Sequence, residues 1–155
     1  MMVPDSLLSE HVLAPLVIRN EGRHLRERVV FSRNSGGLGY LKHLKRCLGE
    51  NQVVSIVGDS RRGRKMLPAS VLGRAWGVPS GAASLAHSTG AALLTALVLD
   101  DPDGGSRVII GPPIEADRSD RRIFRREAVA RFGQRLDYRI RLHPENRRSL
   151  SLKLA

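Results

Sequence analysis

Cysteine is nearly absent: Cys47 stands alone in 155 residues, which excludes a disulfide framework. Five scattered histidines add no run with zinc-ligand spacing, so neither a metal nor a cofactor is expected. Aromatic residues are equally scarce. The chain has one Trp, two Tyr and three Phe, a poor supply for a platform on which nucleic-acid bases could stack. Long apolar runs are missing as well, for the longest, Ala91 to Leu99, is about half the span a bilayer requires and is interrupted by Thr95. At the N-terminus, Asp5, Ser9, Glu10 and His11 break any signal-peptide pattern, which places the expected location on the cytoplasmic side.

What the chain has in excess is arginine. Lys and Arg total 26 against 15 acids, a formal charge of +11, and the only lysines are Lys42, Lys45, Lys65 and Lys153. The remaining 22 cations are guanidinium groups, suited to a polyanion or an anionic surface. With 41% apolar side chains, the length fits one globular domain.

Periodicity predicts an α/β order. Leu16-Val17-Ile18 and Val29-Val30-Phe31 are short β-prone runs, and leucines 38, 41, 44 and 48 mark an amphipathic helix with Gly49 at its C-cap. Val53 to Val57 follows as a buried strand, and Gly58 to Gly77, rich in Gly and Arg, as a loop leaving that strand. Ser80 is placed to N-cap a small-residue helix ended by Gly90. Ala92 to Leu99 and Arg107 to Ile110 predict a hairpin across the Asp100 to Gly105 turn. Phe124, Ala128, Phe132, Leu136 and Ile140 predict a long helix from Ser119 to about Leu142. Strands alternating with helices imply a partly parallel sheet flanked by helices, with Val53 to Val57 and Ala92 to Leu99 central.

Several motifs fall short of chemistry. Gly58-Asp59-Ser60-Arg61-Arg62-Gly63-Arg64-Lys65 nearly spells a phosphate-binding loop, but Lys65 is one place late and Met66 cannot coordinate magnesium, so general anion binding is the better reading. Gly36-Gly37-Leu38-Gly39 lacks the third glycine of a dinucleotide fingerprint. In Gly77-Val78-Pro79-Ser80-Gly81 the serine is off-centre for a nucleophile elbow, which favours a helix cap, and His87 has no acid placed to orient it. Arginines 61, 62 and 64 and arginines 121, 122, 125 and 126 could neutralise phosphates, leaving a basic nucleic-acid-binding domain as the alternative function.

The segment from Arg74 through Gly81 to Ala91, with Leu85-Ala86-His87-Ser88-Thr89-Gly90-Ala91 at its end, resembles the lipid A biosynthesis acyltransferases of the lysophospholipid acyltransferase superfamily. Pro112-Pro113-Ile114-Glu115 and His143-Pro144-Glu145 extend the resemblance over roughly residues 16 to 148, after a poorly defined lead-in at 1 to 15. It implies acyl transfer from an acyl thioester, acyl carrier protein or acyl-CoA, to a hydroxyl of a lipid A precursor or a related anionic lipid. It also implies peripheral attachment to the anionic cytoplasmic face of the inner membrane.

The family's base is a histidine followed five places on by Asp or Glu, and no histidine here satisfies that pattern. Leu16, Val29, Leu48, Ala92 and Arg148 stand at those places. Family members are nearly twice as long, so the chain is expected to be the C-terminal part of an acyltransferase-like domain. It should be inactive alone, and it should leave an apolar sheet edge or groove uncovered. By resemblance, the acceptor and oxyanion side comprises Arg33, Asp59, Arg74, Ser80 and Gly81, with no catalytic residue and no metal ligand.

Overall fold

The computed structural model describes residues 37–58, 65–100 and 103–144. The chain divides into two compact units, Met1–Lys42 and His43–Ala155, and apart from the opening residues of the first helix everything below belongs to the second. Seven elements follow in order: α1 (Gly37–Gly49), β1 (Met66–Val71), β2 (Arg74–Pro79), α2 (Gly81–Thr89), β3 (Ala96–Asp100), β4 (Ser106–Ile110) and α3 (Arg121–Leu142). The expected strands at Leu16 to Ile18 and Val29 to Phe31 lie outside the described residues.

Helices and small sheets coexist, but the parallel sheet does not. β1 pairs only with β2 and β3 only with β4, both antiparallel, so the partly parallel arrangement is corrected to two hairpins. The reason lies in Val53 to Val57, which forms no regular structure. Val53 is 97% exposed and Val57 71%, so the strand that was to make the sheet parallel pairs with nothing among the described residues. The central strand expected at Ala92 to Leu99 begins only at Ala96, and Gly49 remains helical while Asn51 takes the left-handed conformation, φ 58°.

The stretch expected as a loop up to Gly77 contains the β1–β2 hairpin instead. Its two-residue turn, Leu72-Gly73, has both φ values positive, 53° and 73°, the mirror-type turn whose twist suits a hairpin. Leucine is strained there because its Cβ crowds the backbone, and the turn is held from outside. The Leu72 N–H donates to Asp137 Oδ1 on α3, and Arg141 Nε donates to Asp137 Oδ2 at 2.8 Å.

α3 is the backbone of the unit. Asp120 caps it by accepting from the N–H groups of Arg122 and Ile123, and its predicted stripe is inward: Phe124, Ala128, Leu136 and Ile140 are buried and Phe132 partly so. Around Phe124, which is fully buried, gather Ala83, Ala86, Ile114 and Ala128, while Val71 and Ala69 join the stripe farther along. At Gly133 the helix comes so near β1 that a Cβ would stand 2.6 Å from the Ala69 methyl. The other hairpin keeps one apolar face open to solvent, where Val98, Val108 and Ile110 are each more than half exposed.

Arginine holds parts of this fold together. Arg118 donates to the carbonyls of Ala86 and Ala91, at 3.2 and 2.9 Å, and lies 4.8 Å above the Phe124 ring. Arg135 donates to the carbonyls of Pro112 and Pro113, at 2.6 and 3.1 Å, and to Thr95 Oγ1. A guanidinium suits such places because its planar fork bonds several carbonyls at once.

Three carboxylates sit below their usual pKa. Arg141 and then the Leu72 N–H lower Asp137, the Ile123 N–H foremost lowers Asp120, and the Ser119 N–H foremost lowers Asp117. A depressed carboxylate gives stability that is complete above the unfolded value, about 3.9, and is lost as the pH falls through the folded one. Thermal melts should therefore be flat near neutrality and decline below about pH 4. Asp137→Asn should melt lower at pH 7 yet show a shallower acid decline; an acid slope equal to that of the parent would remove Asp137 from the explanation.

Candidate anion-binding site

The β1–β2 hairpin delivers the chain into α2 through Ser80, which is 1% exposed. Backbone and side chain anchor it together: the Ser80 N–H and Oγ both donate to the Lys65 carbonyl, at 3.0 and 3.1 Å. These bonds continue the ladder by one residue beyond the Met66–Pro79 pair. The Ser80 carbonyl then accepts the first helical bond from the Ser84 N–H at 3.0 Å and a second from Ser84 Oγ at 2.8 Å.

Ser80 occupies the N-cap position as expected, but its hydroxyl caps nothing. Having turned to Lys65, it gives the first-turn N–H groups of α2 no acceptor. Gly81 at this end is exposed, and a Cβ there would meet open space. Uncapped N–H groups carry the positive end of the helix dipole, so this end favours an anion.

Behind it comes Arg125 from α3. Its Nη2 donates to Ser80 Oγ at 3.2 Å, and its buried Nε has no hydrogen-bond partner. Sequence reasoning placed Arg125 in the cluster 121, 122, 125 and 126 that could neutralise phosphates, and missed its bond to Ser80. A signal was present, since 125, 129, 132 and 136 follow helical spacing and put Arg125 in line with Val129, Phe132 and Leu136.

Of the expected site residues, Ser80 and Gly81 are together at this helix start. Arg74 is not with them: it begins β2, exposed, at the turn end of the hairpin, about 20 Å along the strand. Arg33 and Asp59 lie outside the described residues, as do Arg61, Arg62 and Arg64. His87 is half-buried, its ring 5.5 Å from that of Phe124. Among the described residues no three His, Cys, Asp or Glu side chains gather to hold a metal ion, and no helix is long and apolar enough to cross a membrane.

Chemically, the arrangement supplies hydrogen-bond donors and positive charge. It can hold a phosphate or stabilise a developing oxyanion. Comparison with known proteins gives no matching family model and no matching curated relative.

Proposed function

We propose that this chain is an acyltransferase-type domain that handles the anionic side of acyl transfer from a thioester to a lipid hydroxyl. The acyl donor is acyl carrier protein or acyl-CoA, and the acceptor is a lipid A precursor or a related phosphorylated glycolipid. The observation that carries the reading is the start of α2, where the N–H groups from Gly81 onward receive no cap from the Ser80 hydroxyl and the Arg125 guanidinium bonds that hydroxyl. The order of segments from Arg74 to Ala91 supports the same reading. In the reaction the thioester carbonyl becomes an oxyanion as the acceptor oxygen attacks, and donors fixed before that moment stabilise the developing charge. Removal of the acceptor proton needs a general base, and the His-x4-Asp/Glu arrangement for it is missing from the chain. The domain binds without turning over alone, at an anionic membrane surface.

Two measurements test this. Titration with a phosphorylated glucosamine disaccharide, followed by NMR, should show binding that Arg125→Gln weakens about tenfold to a hundredfold, the ordinary effect of losing a charge-assisted hydrogen bond. Equal affinity in the variant would remove the site. Incubation with a labelled acyl thioester and acceptor should give no transfer; turnover abolished by His87→Ala would overturn the claim of inactivity and make His87 the base.

A further inference from the structure

α3 has a second face that the core does not use. Ile123, Arg126, Ala130, Gln134, Tyr138 and Arg141 follow one another at spacings of three and four, and all are exposed. They form a stripe down a 22-residue helix, about 33 Å long. Arg122 and Arg131 are also exposed beside it, and Leu142 is half exposed at its end.

Apart from Arg141, which pairs with Asp137, the cations of this face, Arg122, Arg126 and Arg131, have no ion-pair partner among the described residues. The acids nearby are engaged in the fold: Asp120 caps the helix and feels the Arg122 charge, Glu127 accepts the Asp117 N–H, and Asp137 accepts from the Leu72 N–H and Arg141. Arg121 and Arg122 also stand in a first turn whose one neighbouring acid is the Asp120 cap, at the end where the helix dipole disfavours cations. Apolar side chains are set between them: Ile123 is 41% exposed and Tyr138 59%.

We infer that this outer face of α3 is the surface by which the protein lies on an anionic lipid bilayer. Arginines spread along the helix and flanking the stripe match a plane of phosphate headgroups, while Ile123 and Tyr138 reach the acyl boundary between them. Nucleic acid is a poorer fit, since Tyr138 is the only aromatic side chain on the face and cannot form a stacking platform. The inference rests on the membrane part of the proposed function and adds which surface makes the contact.

Flotation of the full chain with phosphatidylglycerol–phosphatidylcholine vesicles, against phosphatidylcholine alone, tests it. Binding should need the anionic lipid and fade with salt, and the Arg122→Gln/Arg126→Gln/Arg131→Gln variant should lose about a hundredfold in partitioning. The charge-matched control Lys42→Gln/Lys45→Gln/Arg46→Gln, all on α1, should bind as the parent does. Equal loss in both variants, or in neither, overturns the assignment to α3 while leaving membrane association standing. No binding to any vesicle overturns both, as does retention of duplex DNA in place of vesicles. A fluorophore on Gln134→Cys in a Cys47→Ser background gives a second reading on folded protein: its emission should shift to the blue on anionic vesicles, and an unchanged spectrum in a bound sample would exclude this face.

Discussion

Phe124→Ala should lower stability by about 3–5 kcal/mol, the largest effect of any single truncation in this fold. The ring is fully buried, so its loss removes apolar area and leaves a cavity that rigid neighbours cannot fill. The buried neighbours are mostly small: Ala83, Ala86 and Ala128 have no side-chain length with which to collapse inward, which leaves Ile114 and the partly buried Leu93 and Phe132 as the larger groups of the cluster. Two further interactions go with the ring, the Arg118 guanidinium at 4.8 Å and the His87 ring at 5.5 Å. A thermal melt should fall by roughly 10 °C or more for a chain of this size, with Phe124→Leu much closer to the parent. A Phe124→Ala melt within about 2 °C of the parent would show that α2 and α3 are not held together here.

Gly133→Val should cost about 3 kcal/mol or more, for the opposite reason. A single Cβ at this position would stand 2.6 Å from the Ala69 Cβ and 3.4 Å from the Ser70 carbonyl oxygen. The obstacle is a methyl fixed to β1, not the end of a flexible side chain, so helix and strand must separate. Gly133→Ala is a gentler probe because its better helix propensity, about 1 kcal/mol, offsets part of the overpacking. The cause can be isolated with Ala69→Gly, which removes the struck methyl: combined with Gly133→Ala it should recover much of the loss that Gly133→Ala inflicts alone. Additive losses in the double variant, measured by urea unfolding, would mean that the close approach is not what Gly133 provides.

The sequence by itself determined the helices. Two apolar stripes at helical spacing place α1 and α3, and the Ser80 start, small residues and Gly90 end (φ 73°) place α2, all within a residue or two of the expected bounds. Helical periodicity is local, so it survives without knowledge of partners. The β3–β4 hairpin was legible for the same reason, as two β-prone runs joined by a Pro- and Gly-containing turn. Strand pairing beyond a hairpin is not local. Val53 to Val57 has the composition of a buried strand, but a strand exists only where another backbone accepts its hydrogen bonds, and none among the described residues does. The β1–β2 hairpin escaped notice because its turn is Leu72-Gly73, and leucine signals no turn; Asp137, 65 residues away, accepts the Leu72 N–H that such a turn exposes. The site divides in the same way. Ser80 and Gly81 could be picked out as the start of a helix, whereas only tertiary structure decided that the Ser80 hydroxyl turns to Lys65, that Arg125 stands behind it and that Arg74 is a strand's length away. Composition reported the arginine excess, but position on α3 separates guanidinium groups held in the fold from those facing solvent, because burial depends on what packs against each side of the helix.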